Sequence, residues 1–332
     1  MKKQPSFRLV SAAAAAGATA LLMSACGTDG SAGGNYPSKP INVTAPSEPG
    51  SGWDTTARAV TKTLEDEKMS DVPLPVQNKP GGTGCNWLTE MVNKQKGNDD
   101  QIAITSLASQ TMNARGLCEY GPEDATLIAT LFVENFIVVG PENGDINDLE
   151  GLIAALKEDP QKVTIAAAGD DRLPFALLAE EAGISPEQLN FLDYDGGGAQ
   201  TTALLNGDAK VAIAGLSEFR GSLESGDLSA IVSFAPEPLA EPFNEVPTAV
   251  DSGFDVTLAN WRGVYGPADM PEDAVKYWEE TLGEMVKSES WKDTVDKNQW
   301  AEQFLTGEDM DSYVEDAAKT VNEGVEKTSI GN

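Results

Sequence analysis

The chain has 332 residues and contains no histidine. Without histidine, catalysis by Ser-His-Asp or Cys-His groups and zinc binding through imidazole are excluded. The sequence also has no phosphate-binding Walker loop, no dinucleotide-binding glycine motif, no nucleophile elbow and no EF-hand loop. We therefore predict no catalytic residue, no metal and no cofactor, and we expect a binding protein. A hydrolase that works without histidine is the enzyme alternative, and no nucleophile motif supports it.

Basic residues are scarce, because 23 Lys and Arg stand against 53 Asp and Glu, which gives a formal net charge of -30. A surface this acidic repels nucleic acid and anionic lipid, so no nucleic-acid partner is predicted. Among so many carboxylates, close acidic pairs are expected by chance, and most are expected to be solvated. The net charge does not decide the charge of the ligand, since a local site can be positive on a negative protein.

Long apolar runs are absent except near the start of the chain. Three basic residues in the first eight precede an alanine-rich stretch at 9–25, which is typical of an export signal. Small residues before Cys26 resemble a bacterial lipoprotein cleavage box. We therefore predict a signal peptide at 1–25 and a lipid on Cys26, followed by a flexible Gly/Ser tether at 26–35. The alternative is an ordinary signal-peptidase site with an incidental cysteine.

The predicted lipid sets the location and the membrane contact of the protein. No later stretch reaches the roughly 20 apolar residues that a membrane span needs. The protein is therefore expected at the outer face of the cell membrane, held only by its lipid, or in the periplasm if the cysteine is not modified.

Once Cys26 is assigned to the lipid, two of the three cysteines remain, Cys85 and Cys118. Exported proteins meet an oxidising compartment, in which a pair of cysteines is typical of a disulfide. We therefore predict a disulfide between Cys85 and Cys118, both of which fall in the first part of the fold.

A strand, a glycine-rich loop and a helix start follow one another twice after the tether. Residues 41–45 alternate between apolar and polar, 46–54 are rich in Pro, Gly and Ser, and apolar residues then recur at helical spacing. The unit repeats at 72–92, with its loop at 78–84. Helix N-termini favour anions and glycines let an anion approach the backbone, so the two loops predict an anion-binding cradle. Alternatively, they are ordinary strand-to-helix turns.

Strands and helices alternate over most of the remaining chain, which predicts parallel sheets covered by helices. Apolar extended segments near 133–140 and 257–265 divide the pattern into two α/β sets. Two sets joined by such crossings predict a hinge and a ligand cleft. We assign domain 1 to 36–135 and 262–332, and domain 2 to 136–261. The helical C-terminal tail is expected to pack on domain 1.

Six short segments resemble, in the same order, those of the substrate-binding proteins of tripartite tricarboxylate transporters. They lie at 36–41, 49–58, 78–84, 194–199, 204–207 and 260–267. The resemblance implies an α/β, two-domain periplasmic-binding-protein-like (type II) fold with a hinge and an interdomain ligand cleft. It implies a monomeric receptor for a small organic carboxylate, either a di- or tricarboxylate or an amino acid, which passes to a large and a small integral membrane subunit. A sensory receptor for the same solute is the alternative.

The resemblance also implies where the ligand binds. Members of the family hold a carboxylate through backbone groups, hydroxyls and waters of loops from both domains. By position, the ligand-binding residues are Ser47, Gly50, Ser51, Gly52, Asp54, Gly82, Thr83, Ser106, Gly169, Gly197, Gly198 and Trp261.

Some of these residues have two possible roles. Asp54 caps the first helix, with Thr55 as a second candidate, or it pairs with an ammonium group of the ligand. Arg58 lies one helical turn further on and is expected to pair with a nearby carboxylate. Trp261 either stacks on the ligand or fills the core of the hinge.

The acidic residues of the predicted second domain depart from the family. Asp195 stands where members often have Lys, and Asp170 and Asp171 add negative charge to a neighbouring loop. These residues either favour a ligand that carries an amino group or face solvent as part of the acidic surface.

Overall fold

The computed structural model of the protein describes residues 36–169, 171–194 and 196–330. The predicted features that lie outside these ranges are the signal peptide at 1–25, the tether at 26–35 with Cys26, and the carboxylates of Asp170 and Asp195. Within the described ranges, no helix has both the length and the apolar character needed to cross a membrane.

Strands and helices alternate along the chain, as predicted. The first part contains β1 (Asn42–Ala45), α1 (Gly52–Asp66), β2 (Val76–Asn78), α2 (Cys85–Asn93), β3 (Gln101–Ser106), α3 (Leu107–Ala114) and β4 (Thr126–Pro141). The middle part contains α4 (Leu149–Glu158), β5 (Thr164–Ala167), α5 (Arg172–Glu181), β6 (Asn190–Asp193), α6 (Gly197–Asn206), β7 (Val211–Gly215), α7 (Leu216–Ser225) and β8 (Leu228–Ser233). The last part contains β9 (Ala259–Gly266), α8 (Glu272–Met285), α9 (Glu289–Asn298), β10 (Ala301–Glu302) and α10 (Gly307–Thr328).

The long strand β4 takes part in two groups of strands. Its residues 126–135 pair antiparallel with β9, which pairs on its other side with β3. Its residues 136–141 pair antiparallel with β7 and β8. We call β1, β2, β3, β9, β10 and the start of β4 the first half-sheet, and β5 to β8 with the end of β4 the second half-sheet. The strand order across both is β2-β1-β3-β9-β4-β7-β5-β6.

The sequence predicted only the apolar end of β4, near Phe136. The strand is longer because it begins at Thr126 and continues through the polar residues Thr130 and Glu134. These residues interrupt the apolar pattern that marks a buried strand, yet both are almost completely buried.

Parallel strand pairs bring the loops that follow β1 and β2 to one edge of the first half-sheet. β1 pairs in parallel with both β2 and β3, and β5 pairs in parallel with β6 and β7. Apolar side chains of these strands, such as Val43, Ile102 and Ile165, are fully buried. Burial of this kind is typical of parallel strands covered by helices on both faces. The predicted α/β architecture is confirmed.

The C-terminal helices pack on different parts of the fold. Trp278 of α8 and Trp291 of α9 are buried in the core of the first half-sheet, as predicted. Helix α10 packs against α3, which lies in the predicted domain 1, and also against α5, and its Val314 shares a core with Leu173 of α5. The contact with α5 was not predicted. Gly324 of α10 allows the close packing, because a Cβ atom there would lie 3.1 Å from Leu173 Cδ1.

A disulfide joins Cys85 to Cys118, as predicted, with 5.4 Å between the two Cα atoms. Cys85 is the first residue of α2 and directly follows the second glycine loop. The bond therefore ties that loop and the start of α2 to the segment after α3.

Candidate functional site

A cavity of about 60 Å³ lies where the loops after β1 and β2 meet loops of the second half-sheet. It is lined by Pro46, Ser47, Glu48, Ser51, Gly52, Trp53, Pro80, Gly81, Thr83, Ala108, Ala168, Asp171, Gly196, Glu218 and Arg262. A cavity that holds one benzene measures roughly 150 Å³. The loops therefore enclose only a small space in this conformation.

Ser51 holds the first glycine loop against the start of α1. It is the N-cap residue, and its Oγ accepts a hydrogen bond from Asp54 N at 3.4 Å. The Ser51 and Ser47 hydroxyls are also hydrogen-bonded to each other. The predicted caps Asp54 and Thr55 lie inside the helix instead. Ser, Asp and Thr all favour the cap position, so their composition alone could not distinguish them.

Asp54 links the two glycine loops and is not part of the described cavity lining. Its carboxylate accepts hydrogen bonds from Gly50 N, Arg58 Nε and Asn78 Nδ2, each at 2.9 Å. Ser51 takes the capping role that was one of the two predicted for Asp54, and Arg58 pairs with a nearby carboxylate as expected. Burial by itself raises the pKa of the Asp54 carboxyl, but these hydrogen bonds outweigh burial and hold that pKa below its ordinary value.

Three buried charged residues, Glu134, Glu218 and Arg262, form what we call the ion cluster. Arg262 Nη2 donates to Glu134 Oε2 at 3.0 Å and lies 3.9 Å from Glu218 Oε1. The side chain of Arg262 is 5% exposed, that of Glu134 is 1% exposed and that of Glu218 is 8% exposed. Glu134 comes from β4, Arg262 from β9 and Glu218 from α7. The cluster thus joins the two half-sheets beside the cavity.

Backbone N–H groups also donate hydrogen bonds to the two carboxylates of the ion cluster. Glu134 Oε1 accepts from Ser217 N at 3.0 Å, and Glu218 Oε2 accepts from Gly197 N at 2.8 Å. Gly197 is the first residue of α6. A carboxylate of the protein therefore already occupies the helix N-terminus at which the sequence predicted a ligand contact.

Two glycines let the loops of the half-sheets approach each other. A Cβ atom on Gly52 would lie 2.5 Å from Arg262 Nη2 and 2.9 Å from Glu218 Oε1. A Cβ atom on Gly196 would lie 3.2 Å from Ser51 Cβ. Side chains at these positions would push the two walls of the cavity apart.

Asp171 lines the cavity from the second half-sheet and is 5% exposed. Its Oδ2 accepts from Ala168 N at 3.0 Å and from Gln200 Nε2 at 3.1 Å. The interpretation of this carboxylate as part of a solvated surface is therefore wrong for Asp171. The alternatives for Asp170 and Asp195 concern residues outside the described part of the chain.

Of the residues predicted to bind ligand, four lie on the cavity: Ser47, Ser51, Gly52 and Thr83. The described lining does not include Gly50, Asp54, Gly82, Ser106, Gly169, Gly197, Gly198 or Trp261. Each of the four lining residues belongs to one of the two glycine loops or to the helix start that follows it.

Three of the predicted residues that do not line the cavity have structural roles. Trp261 is completely buried in the core and donates from Nε1 to Gln110 Oε1 at 3.0 Å, so it fills the interior. Ser106 caps α3 and accepts from Trp53 Nε1 at 3.0 Å, which orients a tryptophan that does line the cavity. Gly169 packs behind Thr83, since a Cβ atom there would lie 3.1 Å from Thr83 Oγ1.

Sequence reasoning missed the charged side chains of the site, Glu218 and Arg262. A signal existed for Arg262 and its partner Glu134, because each stands alone as a charge in a strongly apolar strand. A charge in that setting is expected to be paired. Glu218 lies in the first turn of an ordinary amphipathic helix, and only the tertiary fold brings it to the cavity.

No group of three His, Cys, Asp or Glu side chains in the described residues is arranged to hold a metal ion. The cavity offers hydroxyls, a helix start and the charged groups of Asp171, Glu218 and Arg262. Such a site can bind a small polar solute through hydrogen bonds and charge.

The profile of the family described as "Tripartite tricarboxylate transporter family receptor" matches residues 57–329. Protein BugT of Bordetella pertussis is 24% identical over 263 residues, which cover 77% of this chain and 78% of that protein. The family match includes the second glycine loop and the helices and strands that follow it.

Solved structures support the same fold. MatC from Rhodopseudomonas palustris with bound malate has a TM-score of 0.75 and 19% identity, covering 90% of this chain and 100% of that chain. Rpa4515 of R. palustris with adipate has a TM-score of 0.81 and 16% identity, covering 89% of this chain and 99% of that chain. The fold is that of the two-domain periplasmic binding proteins, as predicted.

The family match begins within α1 and ends just after α10, so it includes every described strand except β1. The matched family consists of receptors and not of enzymes. The chain therefore belongs to the receptor family of the tripartite tricarboxylate transporters.

Proposed function

We propose that the protein is an extracytoplasmic receptor that binds a small organic carboxylate in this cavity and delivers it to a tripartite tricarboxylate transporter. The start of α1 carries the proposal, because Ser51 and Gly52 line the cavity at the N-terminus of a helix of 15 residues. The first N–H groups of a helix have no partner within it, and the helix dipole favours an anion there.

Hydroxyl groups add neutral donors beside this helix start. Ser47 and Ser51 come from the first glycine loop and Thr83 from the second, and all three line the cavity. A hydroxyl can donate to a carboxylate without bringing a charge that would itself need a partner. The malate and adipate named for MatC and Rpa4515 are organic carboxylates, which supports the same ligand class here.

We propose that the ligand is enclosed by two domains with the boundaries predicted from the sequence. Domain 1 comprises 36–135 and 262–332, and domain 2 comprises 136–261. The change in the pairing of β4 between Asn135 and Phe136 supports this division. Bending of β4 and β9 would then open and close the cavity.

Anchoring and delivery form the remaining part of the proposal. A lipid on Cys26 would hold the receptor at the outer face of the membrane, and a large and a small integral membrane subunit would receive the ligand. The tripartite transporter named in the family description supports such a membrane partner.

A ligand screen by thermal unfolding tests the proposed function. The purified protein is heated with malate, succinate, adipate, citrate and the common amino acids. A ligand present at 100 times its dissociation constant should stabilise the protein by about 2.7 kcal/mol. If none of these compounds raises the melting temperature, the protein is not a carboxylate receptor.

Affinity measurements on variants then test the site. Ser51→Ala and Thr83→Ala should each lower the affinity for the best ligand roughly five- to thirty-fold, as expected when one hydrogen bond is lost. Ser225→Ala removes an exposed hydroxyl at the end of α7 and is the control. Equal affinities for all three variants would place the ligand elsewhere.

A further inference from the structure

Trp53 is the only aromatic residue among the described residues that line the cavity. It is 4% exposed. Apart from the charged residues, the rest of the described lining consists of Ser, Gly, Ala, Thr and Pro. The uncharged part of the cavity wall therefore has one large side chain, and its size governs how much space remains beside the start of α1.

Two contacts fix the position of the indole ring of Trp53. Its Nε1 donates to Ser106 Oγ at 3.0 Å, and Ser106 is itself completely buried at the N-cap of α3. At the other edge of the ring, a Cβ atom on Gly84 would lie 2.7 Å from Cζ3 and 2.8 Å from Cη2 of Trp53. Gly84 has a φ of 84°, a left-handed conformation that favours glycine. The ring is thus held between the starts of α2 and α3 and cannot turn aside without losing these contacts.

The ring of Trp53 offers the ligand an apolar surface. Nε1 is the one polar atom of an indole and can only donate, and here it already donates to Ser106. A carboxylate placed against the ring would lose water without gaining a hydrogen bond, whereas methylene groups can pack there. Trp53 is the second residue of α1, so this apolar wall adjoins the helix start that is proposed to bind the carboxylate.

We infer that Trp53 is the specificity-determining residue of the cavity and that its indole ring restricts the receptor to acids with a short carbon chain. The inference rests on the proposed function and adds the residue that selects among carboxylates by length. The enclosed space is about 60 Å³, less than half of the roughly 150 Å³ that holds one benzene. Each further methylene group would have to displace a ring that is already held at two edges, and overpacking of this kind is unfavourable.

The limit on chain length is tested on the native protein with three series of unbranched acids. These are the monocarboxylates from propionate to heptanoate, the dicarboxylates from malonate to pimelate, and the amino acids from alanine to norleucine. In the series that contains the tightest ligand, calorimetry should give the highest affinity to one of the two shortest members. The next longer member should bind at least about tenfold more weakly, because one methylene group changes affinity in an apolar site by roughly 10- to 200-fold.

Replacement of Trp53 tests the role of the ring itself. Trp53→Leu keeps an apolar side chain and removes the ring, so the affinity for that longer acid relative to the best native ligand should rise at least about tenfold. Trp53→Phe should change the same ratio in the same direction by a smaller factor. A general loss of stability would lower the affinity for both acids alike and leave their ratio unchanged.

Trp278→Leu and Trp278→Phe are the matched controls. Trp278 is also buried, and its Nε1 also donates to a hydroxyl, that of Tyr36, at 2.9 Å. It is not part of the described cavity lining, so both controls should keep the native ratio of affinities. Circular dichroism checks that each variant folds, and the length profile of the native protein decides if the Trp53 variants do not.

The outcomes separate this inference from the proposed function. If the native protein binds long members of the best series as tightly as short ones, the length limit is wrong while the carboxylate receptor stands. The same conclusion follows if a folded Trp53→Leu variant keeps the native ratio, or if the ligand screen finds a carboxylate but no member of the three series binds. If neither the screen nor the series gives a ligand, both the inference and the proposed function fail.

Discussion

The carboxylate of Asp54 accepts a hydrogen bond from the side-chain amide of Asn78 at 2.9 Å, and this contact joins the first glycine loop to the second. Asn78 also donates to the carbonyl oxygen of Ser47 at 3.1 Å. The two loops that line one wall of the cavity are therefore held by side chains that do not line it. Their relative position depends on Asp54 even though this residue is not part of the described lining.

Replacing Asp54 by alanine should destabilise the fold and weaken ligand binding together. The change leaves Gly50 N and the Asn78 amide without their acceptor, which should lower the free energy of unfolding by about 1–3 kcal/mol. Asp66→Ala is the control, because Asp66 is 54% exposed and pairs with Lys62 on the same helix. Urea unfolding and calorimetry would measure both effects, and similar values for the two variants would contradict the role of Asp54.

The contribution of Asp54 should also depend on pH. Hydrogen bonds hold its pKa below the ordinary value in the folded protein, so the unfolded chain binds the proton more tightly. The stabilisation is therefore fully present above the ordinary pKa of about 3.9 and is lost as the pH falls through the lower pKa of the folded state. The difference in unfolding free energy between the native protein and Asp54→Asn should stay constant above about pH 5 and shrink in more acidic solution. A difference that grows towards acid would have the wrong sign.

Removing the disulfide should cost much of the stability of the first half-sheet. Cys85 and Cys118 are 33 positions apart, and closing a loop of that length stabilises by about 4 kcal/mol in the chain-entropy model. The double change Cys85→Ser and Cys118→Ser should therefore lower the unfolding free energy by about 2–4 kcal/mol. A thiol assay on denatured, unreduced protein gives an independent check, since two reactive thiols would show that the bond does not form.

Adding one methyl group at Gly52 should disturb the ion cluster. Its Cβ atom would lie 2.5 Å from Arg262 Nη2, and Glu134 holds that guanidinium in place. Gly52→Ala should lower the unfolding free energy by about 1–3 kcal/mol and weaken ligand binding. Gly221→Ala is the matched control on α7, where the added methyl group meets no atom within 4 Å; it should be neutral or stabilising by up to about 1 kcal/mol. A ranking of the two variants in the opposite order would rule out this close approach.

Membrane attachment should depend on Cys26. Replacing it by alanine removes the thiol that the lipid would modify, so the protein should move from the membrane fraction to the soluble extracytoplasmic fraction. Cell fractionation followed by detection of the protein measures this directly. Unchanged attachment of Cys26→Ala to the membrane would exclude the lipid anchor.

Features that depend on residues close together in the sequence were predictable. The two glycine loops, the helices after them and the disulfide follow from local pattern and from the number of cysteines. Ser51, Gly52 and Thr83 reach the cavity because they lie in those loops or directly at the helix start that follows. The choice of Ser51 over Asp54 as the cap was not predictable, since both side chains suit that position.

Features that join distant parts of the chain were not predictable from pattern. Glu218 meets Arg262 only after α7 and β9 have packed beside β4, and no spacing in the sequence connects these residues. The same limit applies to the contact of α10 with α5, which no spacing in the sequence predicts. The sequence around Trp261 was compatible with a ligand contact or with an interior position. Its hydrogen bond to Gln110 in the structure shows that it is an interior residue.

The position of β9 between β3 and β4 determines the order in which the fold can assemble. β9 starts at Ala259, so it follows every strand of the second half-sheet along the chain. The first half-sheet cannot be completed until this late segment returns to a gap between two early strands. Pairing across so long a stretch of chain is slow. We therefore expect newly exported molecules to pass through an intermediate in which the second half-sheet is formed but β9 has not yet paired with β3 and β4.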